Sequence, residues 1–124
     1  VFPVWELFLD NLPKDAVKIA TEKVKWDPKY QKRHAIAWRR AEVTKEEEEK
    51  LWKISKRIYR RLGLSGYARL DYRMNELGDV YLLEANPNPN IAKNDEFATS
   101  AMAMGLEYPK LLERLLRIGM KRPV

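Results

Sequence analysis

No cysteine occurs among the 124 residues, so disulfides and thiolate metal sites are excluded. That fits a reducing compartment, and a cytoplasmic location is the expectation. Histidine is nearly absent as well. The single one, His34, lies in a basic stretch with Lys32 and Arg33 and reads as a solvated loop residue rather than a catalytic one. Long apolar runs are missing, the longest resembling Val80–Leu83, so neither a membrane span nor a signal peptide is visible. No repeats occur, and the only low-complexity tract is Glu46–Glu49.

What remains is an ordinary globular composition, 45% hydrophobic and 34% charged, in a length suited to one compact core. The net charge is +6, with basic residues dense from Lys29 to Arg40 and from Lys53 to Arg61. Such a surplus fits nucleic acid, an acidic partner, a polyphosphate such as ATP, or merely a solvated helix face. Charge alone does not choose among them. The chain opens at Val1 without an initiator methionine, and its first residues already read as strand, as expected of a piece of something longer.

Along the chain, Phe2–Leu9 has strand composition and Asn11–Asp15 a turn. Val17–Trp26 reads as a second short strand region, and Asp27–Arg40 as a loop with room for a helical turn. The clearest element is Thr44–Leu62. Thr44 and Glu47 have capping-box spacing, and Leu51, Ile54, Ile58 and Leu62 recur at helical intervals. Gly63 is a natural stop. Gly66–Arg73 and Val80–Ala85 read as the strands of a hairpin, followed by a polar loop over Asn86–Asn94. A helix over Asp95–Met104 ends at Gly105, and a last one starts at Pro109 and stops at Gly119. The fold class expected is α+β, an antiparallel β-sheet with packed helices.

Chemistry concentrates on the hairpin. Residues two apart in a strand share a face, so Arg69 and Asp71 project together, as do Glu84 and Asn86. Placing the mainly apolar sets against the core brings all four to one side. With Met74 paired to Asp79, Arg69 would lie opposite Glu84 and Asp71 diagonally beside it. Two carboxylates and an amide oxygen are hard ligands suited to Mg²⁺. The competing reading is an exposed hairpin face carrying a cross-strand Arg–Glu pair, and spacing alone leaves both open.

A resemblance bears on that choice. The stretches Gly66-Tyr67-Ala68-Arg69-Leu70-Asp71 and Tyr81-Leu82-Leu83-Glu84-Ala85-Asn86-Pro87-Asn88-Pro89 resemble the closing metal-site motif of D-alanine–D-alanine ligases and their ATP-grasp relatives. The likeness runs in detail from about Ala41 to Ile118, and Lys25-Trp26 falls where the family has a lysine–aromatic pair. It implies the carboxyl-terminal, ATP-grasp metal-binding half of a carboxylate–amine ligase working through an acyl phosphate. Residues 1–124 would be a single partial domain without the upstream nucleotide lobe, expected to be inactive alone. Asp71, Glu84 and Asn86 would bind two Mg²⁺ ions with Glu84 bridging, Mn²⁺ being the alternative. Arg69 would face the transferred phosphoryl group, and Lys25 the terminal phosphate of ATP. Asn88 and Asn90 stand where substrate contacts are expected, although turn formation explains them equally.

Departures from the family pattern are specific. Asn90 occupies the position of a glycine, no serine follows closely, and Trp26 replaces a tyrosine. The acid and the amine therefore stay open. The expected partners are small-molecule carboxylate and amine substrates, with no membrane and with a homodimer left open. Two other readings compete with a ligase. One is a non-catalytic ATP-grasp remnant serving as an interaction module. The other is a basic nucleic-acid binder with Trp5, Trp26, Trp38 and Trp52 as stacking platforms. The last is disfavoured, because it leaves the Asp71, Glu84 and Asn86 face unexplained.

Overall fold

The computed structural model describes residues 1–121. It is α+β, and it divides into two compact units: one spans Val4–Ala41, and the other joins Val1–Pro3 to the chain from Glu42 onward. Each unit holds a two-stranded antiparallel sheet.

In the Val4–Ala41 unit, strand β1 (Trp5–Phe8) leads through a turn to two short helices, α1 (Glu22–Trp26) and α2 (Pro28–Arg33), and then to strand β2 (Ala37–Arg40). β2 pairs with β1, Trp5 opposite Arg40 and Phe8 opposite Ala37. Two expectations are corrected here. Val17–Trp26 is not a strand: Thr21 caps a helix by accepting from the Val24 amide at 3.4 Å, and Val24 turns into the core. Asp27–Arg40 is more than a loop: the helical turn expected there is the helix α2, and strand β2 follows it. Asp27 caps α2 by accepting from the amides of Lys29 and Tyr30, both at 3.0 Å, and Pro28 takes the first helical position. β2 carries no alternation that would mark it as a strand, because all four of its residues are exposed. It gains a contact from Arg39, whose guanidinium lies 3.6 Å from the Phe8 ring centre. The core is Leu9, Leu12 and Val24, flanked by Leu7, Tyr30 and Ile36.

The other unit begins with α3 (Lys45–Arg61), and its start matches the sequence. The Thr44 hydroxyl accepts from the Glu47 amide at 3.2 Å, and the Glu47 carboxylate accepts from the Thr44 amide at 2.7 Å. Its end matches too: Gly63, at φ +63°, lets the Leu64 amide reach the Tyr59 carbonyl at 3.0 Å. Leu51 is buried, but Leu62, expected on the same face, is the C-cap and is exposed.

Strands β3 (Arg69–Met74) and β4 (Val80–Asn86) follow, then α4 (Glu96–Ala103) and α5 (Tyr108–Met120). α3 is tied to the hairpin by a hydrogen bond between the Ser55 and Tyr72 hydroxyls at 2.8 Å and by one from Lys50 to the Gly78 carbonyl at 2.7 Å. α4 and α5 pack through Ala98, Ala101 and Leu111, which are essentially inaccessible. Phe2 joins this cluster, and Trp52 donates its indole N–H to the Phe2 carbonyl at 3.2 Å. Gly105 ends α4 as expected, whereas α5 runs through Gly119 to Met120. A glycine one residue from a helix end costs too little to stop it.

Candidate functional site

The turn sets the hairpin register. Asn75 accepts through its side-chain oxygen from the amides of Leu77 and Asp79, at 3.0 and 2.8 Å, and donates to the Asp79 carboxylate at 3.0 Å. Asp79 is thereby kept in the turn, and Met74 pairs with Val80 instead. The expected pairing of Met74 with Asp79 is wrong for this reason.

A ladder continued regularly from Met74 and Val80 would put Leu83 opposite Asp71 and turn Glu84 to the side of Leu70. It is not regular. Tyr72 pairs with Leu82, but Asp71 pairs with Glu84, so Leu83 is an extra residue forming a bulge. Beyond it, Leu70 faces Ala85 and Arg69 faces Asn86. Asp71 is therefore directly opposite Glu84, not diagonal to it, and Arg69 is opposite Asn86 rather than Glu84. Cross-strand partners share a face, so the four polar residues do come to one side. Val80 and Leu82 belong to the other side, with Tyr72 and Leu70.

Within the group, Arg69 is the hub. Its Nε and one terminal nitrogen donate to the two oxygens of Asp71 at 2.8 and 3.0 Å. Nη1 lies 3.9 Å from a Glu96 carboxylate oxygen. Burial pulls the Arg69 pKa down, but the hydrogen bonds and charge of Asp71, then the charges of Glu96 and Glu84, outweigh it and raise the pKa overall. Arg69 and Asp71 are each about one-third exposed, at 35% and 33% for the side chains, so solvent reaches the pair.

The loop after β4 is held by its asparagines. The Asn86 side-chain oxygen accepts from the Asn88 amide at 2.9 Å, Asn88 accepts from the Tyr67 hydroxyl at 3.0 Å, and Asn90 accepts from the Ala92 amide at 3.1 Å. Tyr67 in turn packs on Phe97, ring centres 5.3 Å apart. Lys25 is exposed on α1, in the other unit. His34 is not merely solvated, since its Nδ1 lies 2.9 Å from the Asn11 carbonyl oxygen. Trp26 and Trp38 are exposed, as two of the four stacking candidates would need to be.

Two residues of this neighbourhood went unassigned in the sequence. Tyr67 shares the face of Arg69 but carries no role in the sequence reading, and Glu96 lies without a role inside the helix expected over Asp95–Met104.

Among the described residues, no three His, Cys, Asp or Glu side chains converge as a metal site. The candidate set is two carboxylates and one amide oxygen, Asp71, Glu84 and Asn86. Their hard oxygen donors fit a divalent cation such as Mg²⁺ that completes its shell with water and phosphate. The oxygens of Asp71 and Asn86 that already accept a hydrogen bond each keep a second lone pair.

The family described as D-ala D-ala ligase C-terminus matches residues 10–117. The chain belongs to that family. Among individual ligases, that of Nitratidesulfovibrio vulgaris strain DP4 is 39% identical over 67 residues, covering 54% of this chain and 22% of its own length. The vancomycin C-type resistance protein of Enterococcus casseliflavus is 32% identical over 102 residues, covering 82% of this chain and 29% of its own. The Haemophilus influenzae PittEE D-alanine–D-alanine ligase is 29% identical over 114 residues, 90% of this chain and 38% of that ligase. In structure, the chain is similar to the Bacillus anthracis D-alanine–D-alanine ligase complexed with ATP. The TM-score is 0.65 at 29% identity, over 68% of this chain and 30% of that one. The chain thus spans between 22% and 38% of the length of these curated relatives. Within this ligase C-terminal family, no described helix of the chain is long and apolar enough to cross a membrane.

Proposed function

We propose that this chain carries the metal-holding part of an ATP-dependent carboxylate–amine ligase. The observation that supports the reading best is the direct pairing of Asp71 with Glu84 beside Arg69 and Asn86, in a chain of the D-ala D-ala ligase C-terminal family. ATP is the phosphoryl donor in this reading, in keeping with the relative solved with ATP. A substrate carboxylate oxygen attacks the terminal phosphorus and ADP leaves. The amine nitrogen then attacks the acyl phosphate, inorganic phosphate departs, and the nitrogen loses a proton to give the amide.

Asp71, Glu84 and Asn86 are assigned to hold two Mg²⁺ ions, or Mn²⁺ in their place, with Glu84 shared. Bound there, the cations would neutralise charge on the phosphoryl oxygens. Arg69 adds a permanent positive charge near where negative charge develops during transfer, and electrostatic stabilisation is most of what a protein contributes to phosphoryl transfer. Lys25 is assigned to the terminal phosphate. Asn88 and Asn90 are assigned to substrate contact, and their hydrogen bonds, from the Tyr67 hydroxyl and from the Ala92 amide, would fix the loop's shape around the acceptor. The remaining nucleotide contacts are assigned to sequence outside residues 1–124, which makes this chain part of one ATP-grasp domain. The acid and amine are small molecules of unassigned identity.

Calorimetry of ATP with Mg²⁺ on this chain, beside Glu84→Gln, tests the reading. Binding that requires both Mg²⁺ and Glu84 is the expected result. ATP binding of equal strength in Glu84→Gln, or in the presence of a chelator, would count against it.

A further inference from the structure

The reading above requires Asp71 to become a metal ligand, yet one guanidinium holds both of its oxygens. Bidentate Arg–carboxylate pairing is among the strongest of side-chain hydrogen-bond geometries. A cation arriving between Asp71 and Glu84 therefore meets a positive charge already fixed on one of its ligands. Arginine does not give up its proton in a protein, so Arg69 stays charged beside the cation unless it moves away.

A second acceptor is within reach. The Glu96 carboxylate oxygen at 3.9 Å from Nη1 is too far for a hydrogen bond, and about 1 Å of side-chain movement would make one. Glu96 is well placed to wait there. It opens α4, where a helix N-terminus favours negative charge. Its neighbour Phe97 packs against both Phe2 and Tyr67, and Ala98 and Ala101 are fully buried beneath. The helix that carries Glu96 is therefore anchored, while the guanidinium is on a long, one-third-exposed side chain.

We propose that Arg69 is a latch with two positions: it pairs with Asp71 in the metal-free chain and transfers to Glu96 when Asp71 takes up a divalent cation. The proposal rests on the metal reading given above. In both positions the guanidinium keeps a carboxylate partner. Glu84, the third carboxylate whose charge reaches Arg69, gains its partner when the cation arrives. Glu96 is then a positioning residue, which helps metal binding by drawing Arg69 off Asp71 and not by touching the metal.

The test is Mn²⁺ binding to the full chain, measured by calorimetry, for the unsubstituted protein, Glu96→Gln, Arg69→Gln and the double variant, with Glu84→Gln as control. Glu96→Gln is expected to weaken Mn²⁺ binding about fivefold while Arg69 is present and less than about twofold once Arg69 is gone, the signature of coupled neighbours. Equal weakening in both backgrounds would mean that Glu96 acts through its charge alone, which overturns the latch and leaves the metal site standing. Unaltered binding in Glu84→Gln, or none in the unsubstituted chain, overturns the metal site and the latch together. A second readout is the Arg69 Nε–H resonance during Mg²⁺ titration. It should move in the unsubstituted chain and stay fixed in Glu84→Gln, and a resonance that does not move at saturating Mg²⁺ rules out the transfer.

Discussion

Asp71 and Glu84 are cross-strand partners, the first matched pair beyond the bulge at Leu83. Only Asp71 of the two is hydrogen-bonded to Arg69. Two carboxylates placed directly across a ladder repel each other, so in the absence of metal this pair works against the fold. The two neutral replacements should then act with opposite signs. In a chelating buffer, Glu84→Gln removes the repulsion and is expected to stabilise the chain by a few tenths of a kcal/mol. Asp71→Asn takes away the partner of Arg69 and is expected to destabilise it by up to about 1 kcal/mol, the exposure of the pair keeping the figure small. Urea unfolding of both variants checks this, and two effects of the same sign would contradict it.

The capping box of α3 gives a prediction with a pH dependence. Thr44→Ala should cost about 1 kcal/mol, the usual value for a lost N-cap. The Glu47 carboxyl is held below its ordinary pKa of 4.5, first by the Thr44 amide, then by the Thr44 hydroxyl, with Lys50 adding charge. A depressed folded pKa means that the contribution is present above the unfolded pKa and lost as pH falls through the folded one. The stability gap between the unsubstituted chain and Glu47→Gln, followed by circular dichroism, should therefore close on acidification below about pH 4.5.

At the alkaline end Tyr72 matters. Burial pushes its phenol above the ordinary 10.0, and the Ser55 hydrogen bond only partly opposes this. A phenol whose folded pKa is raised keeps its contribution below the unfolded pKa and loses it as pH climbs through the folded value. Above pH 10.0 the unsubstituted chain should lose stability more steeply than Tyr72→Phe. Matching pH profiles would show that Tyr72 is not buried as described.

Leu111 is 1% exposed at the α4–α5 contact. Leu111→Ala should cost about 2–5 kcal/mol, the range for a leucine removed from a core that relaxes only partly. Since few side chains are buried in this unit, thermal melts should show the loss plainly. A change below about 1 kcal/mol would mean that the helices repack around the gap.

Much of this was legible in the sequence, and the exceptions have physical reasons. α3 was readable because Thr44, Glu47, the apolar spacing and Gly63 all agree on one element. That the polar pairs of the hairpin share one side depends on the bulge at Leu83, but the pairs within each strand, Arg69 with Asp71 and Glu84 with Asn86, were readable from alternation. The register itself was not, since it depends on side-chain hydrogen bonds of Asn75 that compete with the ladder. β2 was hidden because it forms through pairing with β1 and buries nothing. Asp27-Pro28 did carry a helix-start signature, which the density of charge around it obscured. Glu96 could not be connected to Arg69 from sequence, because only the folded loop between Asn86 and Asp95 brings them near.

The bulge at Leu83 acts as a phase shift in a pattern with a period of two. On the turn side of it, β4 offers Val80 and Leu82 to the apolar face; past it, the same strand offers Glu84 and Asn86 to the opposite, polar face. A single unmatched residue thus lets one short strand turn apolar side chains to one side over half its length and the candidate ligands to the other side over the rest. The phase of that strand is a property of the loop and the bulge together, so a residue added to the turn is tolerable only when the bulge absorbs it.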